Sequence, residues 1–138
     1  MEITFPIEFL VDGTAVSLQA KRRQSIEIWK SKIVDASREV IPEGHFATEA
    51  RIAATLFYFP ATEMAGDIDN IVKPILDALG RHIYRDDKQV YRLVVQKFEP
   101  GDIFSFEAPS PTLVGALIRD KPVLYVRLSD DPFEDFAK

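Results

Sequence analysis

Hydrophobic and polar positions follow two different periods along this chain, and the changes of period mark its elements. Residues 3–11, ITFPIEFLV, have the β-branched and aromatic density of a strand. Pro6 has no N–H to donate to a ladder, which places that strand at a sheet edge. Asp12-Gly13 supplies a turn. From about 24 to 41 the period lengthens: Ile26, Trp29, Ile33, Ala36 and Val40 recur every three or four positions, one helix face, until Pro42 and Gly44 stop it. Residues 49–59, EARIAATLFYF, are apolar on both alternating faces around Thr55, which predicts a central strand covered on both sides and ended by Pro60. A second helix is expected near Asp67–Asp69, with Ile71, Val72, Ile75, Leu76 and Leu79 facing the core, Pro74 in its first turn or so, and Gly80 as its C-terminal cap. Residues 89–99, QVYRLVVQKFE, predict a third strand in which Tyr91, Leu93 and Val95 alternate with Arg92 and Gln96. Pro109 and Pro111 open a short helix to about 119, and 121–128, KPVLYVRL, form a last strand. There is no internal repeat. The sum is an α+β fold, a small mixed β-sheet packed by two or three helices, over 1–128, followed by an acidic tail at 129–138.

A chain of 138 residues, 46% hydrophobic and 28% charged, fits one globular domain. No apolar run approaches the ~20 residues of a membrane helix, and Met1-Glu2-Ile3-Thr4 lacks the basic start of a signal peptide, so a cytoplasmic protein without membrane contact is expected. The absence of cysteine excludes disulfides and thiolate metal sites. Net charge is −5, unevenly spread. Between 21 and 38, six bases (Lys21, Arg22, Arg23, Lys30, Lys32, Arg38) face two acids, Glu27 and Asp35. Because the local field governs phosphate binding, that segment remains a candidate DNA contact despite the acidic total.

The chemistry concentrates at 66–90, GDIDNIVKPILDALGRHIYRDDKQV. Asp67 and Asp69, two apart in an extended approach to a helix, project to one side. Asp69, Lys73 and Asp77 share a helix stripe by their spacing of four. Asp86-Asp87 precedes the third strand, from which one acid can converge on the first pair. Hard carboxylate oxygens suit Mg²⁺, which lowers the pKa of a bound water and stabilises charge on phosphorus, while a lysine neutralises a phosphate oxygen. Each feature alone also has a plain structural use, as N-cap, i,i+4 ion pair or turn.

In this order they resemble a family. Asp67-Ile68-Asp69-Asn70-Ile71-Val72-Lys73, then Asp77-Ala78-Leu79, then Asp86-Asp87-Lys88-Gln89-Val90 are similar to the motif of the RusA Holliday junction resolvases. The resemblance implies a crossover junction endodeoxyribonuclease: a bacterial or phage homodimer of DNA recombination or repair that cuts four-way or other branched DNA with metal-activated water. It implies Asp67, Asp69 and Asp87 as ligands of Mg²⁺, for which Mn²⁺ can substitute, and Lys73 as the catalytic lysine. Asn70, Asp77, Asp86 and Gln89 become supporting or structural positions. Candidate DNA contacts are Lys21, Arg22, Arg23, Lys30, Arg81, Arg85, Lys88 and Arg92.

The alternative is a catalytically weak or inactive relative that binds branched nucleic acid or a protein partner, motivated by the acidic balance and by the lack of bases in Thr62–Gly66. An Asp-x-Asp phosphatase is set aside, because that motif belongs at the end of an apolar strand and here follows Glu63-Met64-Ala65-Gly66. His45 and His82 have no partner at ligand spacing, and Trp29 is expected in the core. The tail, with Phe133 and Phe136 among its acids, has three open outcomes: packing on a partner, occupying the basic surface, or disorder.

Overall fold

Four strands make one mixed sheet in a computed structural model that describes residues 1–136. In chain order the elements are β1 (Ile7–Asp12), α1 (Arg23–Arg38), β2 (Ile52–Phe59), α2 (Asp69–Leu79), a 3₁₀ turn (Asp87–Gln89), β3 (Val90–Lys97), α3 (Pro111–Ile118) and β4 (Val123–Ser129). The strand order is β1-β4-β2-β3, with β4 antiparallel to both neighbours and β2 parallel to β3. Parallel neighbours require a crossover, and α2 is that crossover. The acidic motif therefore spans one connection, its helix entrance beyond the end of β2 and its exit just before β3.

Both faces of the sheet are covered. On one, Phe9, Leu56, Val126 and their neighbours pack against Trp29 and Ile33 of α1 and Ile71, Ile75 and Leu79 of α2. On the other, α3 brings Leu113 and Ala116 onto Phe59, Phe98, Val123 and Tyr125. Ser110 caps α3, its hydroxyl accepting from the Leu113 N–H at 3.1 Å.

The predicted α+β architecture holds, including the edge position of β1 and the central, doubly covered β2. Three local expectations change. The first helix ends at Arg38, so Val40 lies beyond it and is 48% exposed. Tyr91 and Leu93 do not reach the core, because β3 is the other edge strand and its register with β2 slips between Ile52 and Ala53. Pro74 lies inside α2, past its first turn, while Gly80 caps the helix as expected, its N–H donating to the Leu76 carbonyl at 2.9 Å from extended backbone, with Arg81 (φ 65°) the left-handed residue. Past β4, residues 131–136 fold back on the α3 side of the sheet; the last two positions of the expected tail, 137 and 138, lie outside the described residues.

Candidate active site

At the exit of α2 a capping box explains why two adjacent acids play different parts. Asp86 is the N-cap of the 3₁₀ turn, its carboxylate accepting from the Lys88 N–H at 2.8 Å. Gln89 closes the box: its Oε1 accepts from the N–H groups of Arg85 and Asp86, both at 2.8 Å. Its Nε2 donates to the carbonyls of Thr48 and Ala50, both at 2.9 Å. That side chain thus ties the turn to the chain leading into β2. With the Asp86 carboxylate engaged in the cap, Asp87 is the acid left to face α2. It packs directly beside Gly80, where a Cβ would lie 3.8 Å from Asp87 Oδ1, ordinary van der Waals contact, and 3.3 Å from the Leu76 carbonyl.

Across the gap stands Lys73, with Nζ 2.7 Å from Asp77 Oδ1 and 3.6 Å from Asp87 Oδ2. The i,i+4 pair that forms is therefore Lys73–Asp77. The hydrogen bond and charge of Asp77, reinforced by Asp87, raise the Lys73 pKa, so this lysine is a firm cation rather than a base. Beneath them Tyr84 is fully buried and donates to the Leu76 carbonyl at 3.2 Å. Burial first, then the charges of Asp87 and Asp77, push its phenol far above the ordinary range.

The entrance of α2 is organised by its backbone. Pro74 has no N–H, which strands the Asn70 carbonyl four residues earlier; the Leu18 N–H takes it at 2.8 Å, stitching the 14–20 segment to the helix. Glu99 at the end of β3 accepts from the Met64 N–H at 2.7 Å, anchoring the loop before Asp67. Asp67 and Asn70 line the resulting cleft of about 330 Å³ with Tyr58 and Met64. Asp67 and Asp69 are exposed, and neither carboxylate has a partner among the described residues. Glu99 was not singled out from the sequence; only its place after a strand hints at a tether.

Bases gather at the exit. Lys30 of α1, Arg81 and Arg85 line a polar cleft of about 490 Å³ with Asp77, Asp86 and Asp87. Arg85 also pairs with Glu49 at 3.3 Å. Lys21, Arg22, Arg23 and Lys88 are exposed, while Arg92 lies across the sheet against Asp135. His45 and His82, unpaired in sequence spacing, meet edge-on at 4.9 Å, and Ser37 Oγ lies 2.8 Å from His82 Nε2. Ser37 is buried, so this is packing and not a nucleophile; burial, then His45 and Arg38, lower the His82 pKa.

The donor set matches a hard divalent ion: Asp67, Asp69 and Asp87 offer only carboxylate oxygens, all solvent-exposed, with a cation already balancing Asp87. Geometrically, no group of three acids or histidines closes on one point among the described residues. The lysine and the exit acid are brought together; the two entrance acids are not gathered with them.

The family Endodeoxyribonuclease RusA matches residues 13–103, from the turn after β1 through β3, and the chain belongs to that family. Membership implies a DNA-cutting hydrolase. No curated protein matches the chain. No helix among the described residues is long and apolar enough to cross a membrane.

Proposed function

We propose that the protein is a Mg²⁺-dependent, structure-selective endodeoxyribonuclease that hydrolyses phosphodiesters in Holliday junctions or other branched DNA. The observation carrying this reading is the 3.6 Å approach of Lys73 to Asp87, beside the polar cleft that Asp87 lines, on a chain of the RusA family. Asp67, Asp69 and Asp87 would hold the ion, with Mn²⁺ as a substitute. Bound there, it supplies Lewis-acid charge at the scissile phosphate. Lys73 neutralises a non-bridging phosphate oxygen, released from Asp87 when DNA enters. Asp86 and Gln89 keep Asp87 in place through the turn they close. Lys30, Arg81 and Arg85 hold the flanking backbone as point charges and forks. A homodimer would present two equivalent sites to a two-fold junction, giving paired incisions.

The test is cleavage of a synthetic four-way junction in Mg²⁺, in Mn²⁺ and in EDTA. Nicking at the crossover in either metal and none in EDTA is expected; activity indifferent to EDTA would remove the metal role. A second reading, junction binding with little or no cutting, is favoured by the ungathered entrance acids. Tight binding with no product in either metal would select it.

A further inference from the structure

The α3 side of the sheet carries two arginines that the chain covers with its own last residues. Alternation along a strand and the pairing of Arg127 with Thr55 and of Arg92 with Ala53 put both guanidiniums on that face, above a floor of small side chains. Between them lies a polar cleft of about 300 Å³. Glu134 grips Arg127 at two points, 2.7 Å and 3.5 Å, and is itself held by the Ser129 hydroxyl at 3.0 Å. Asp135 pairs with Arg92, and the Phe136 ring centre sits 5.8 Å from the same guanidinium. A guanidinium fork accepts carboxylate and phosphate in the same geometry, so two neighbouring carboxylates stand where two backbone phosphates fit.

The cover is held by few side-chain contacts, all partly solvated except at the buried Pro132. Residues 131–136 contribute no strand or helix, and their backbone N–H groups bond locally, such as Phe133 N–H to Asp131 Oδ1 at 3.0 Å. The pairs remain partly in water, Glu134 and Asp135 being 28% and 63% exposed along their side chains, a setting in which ion pairs hold weakly. Arg92 is five residues past Asp87, at most about 18 Å of chain, which lies within one turn of a duplex. The tail and Arg127 lie outside the span that the family matches.

We propose that Arg92 and Arg127 form a second backbone-phosphate surface for bound DNA, and that residues 131–136 mask it as an internal phosphate mimic. This rests on the reading of the protein as a DNA nuclease. The experiment measures binding of a four-way junction in EDTA across a salt series, so that no cutting intervenes. Four full-length proteins are compared: wild type, Glu134→Gln/Asp135→Asn, that variant with Arg92→Gln/Arg127→Gln added, and Glu43→Gln/Glu107→Gln. The last makes the same charge change at exposed acids outside this cleft. Unmasking should tighten binding roughly tenfold at low salt and steepen the salt slope by about 1.8, two contacts at ~0.9 each. Removing the arginines should cancel the gain, and the control should give little of it. Equal gains in control and unmasked proteins, or a gain that survives loss of the arginines, would overturn the proposal. Cleavage in Mg²⁺ is scored separately, so a tail effect without cutting discards the nuclease reading and leaves this surface standing, whereas cutting without a tail effect does the reverse.

Discussion

At the exit of α2 one carboxylate is surrounded by partners that fix it; at the entrance two carboxylates stand in water with none. Asp87 rides on a turn closed by Asp86 and Gln89, borders Gly80, and has Lys73 as a counter-charge. Asp67 and Asp69 are placed only by the backbone, through the Leu18–Asn70 bond and the Glu99 tether. The difference separates a carboxylate preorganised by side-chain bonds from a pair whose side chains no partner restrains among the described residues. Both halves hang on the same crossover helix, so their spacing is set by α2 itself.

The sharpest contrast is between neighbours. Asp87→Asn should cut junction cleavage by about 10²–10³-fold, the range for losing a group that stabilises transition-state charge, with an unchanged melting temperature. Comparable cleavage by wild type and variant would show that the exit half is not part of the site. Lys73→Ala should follow at about 10²-fold, again without unfolding, because exposed ion pairs contribute only about 0–1 kcal/mol. Gln89→Ala reverses the pattern: four hydrogen bonds go, two of them to carbonyls beside β2, and stability should fall by about 1–3 kcal/mol in urea titrations. Asp86→Ala should lose a cap worth about 0.5–2 kcal/mol and keep most cleavage; a null enzyme would mean the two acids had been assigned the wrong way round.

The smallest effect concerns the tail. Arg127, then Ser129, hold the Glu134 carboxyl below the ordinary carboxylate range against the opposing pull of burial. A depressed carboxylate contributes stability that is present above its unfolded value, near pH 4–5, and is lost as pH falls through its lowered folded value. Melting curves of wild type and Glu134→Gln should therefore differ at pH 7 and converge in acid. A gap that stays constant as pH falls would put the contribution elsewhere.

Much of this was legible in the residues because the signals are local. Alternation gave the doubly buried β2, three-and-four spacing gave Trp29 and Ile33 of α1, and Pro6 marked an edge. The acid–lysine motif was legible for the same reason: Lys73 and Asp77 are one helix turn apart. What resisted reading depends on pairing. The slip between Ile52 and Ala53 that leaves Tyr91 outside is a property of two strands, not of either. Likewise, the meeting of His45 with His82, and of Arg92 with Asp135, joins positions 37 and 43 residues apart. Asp86 and Asp87 look alike as letters; only the closed box tells which one is engaged.

Whether the two ends of α2 serve one ion is answered most directly by Mn²⁺ titration of wild type, Asp69→Asn and Asp87→Asn, followed by the paramagnetic signal of the free ion. One site per chain, weakened at least tenfold by either substitution, is the predicted result. Binding that either variant leaves at wild-type strength would contradict a centre shared between entrance and exit.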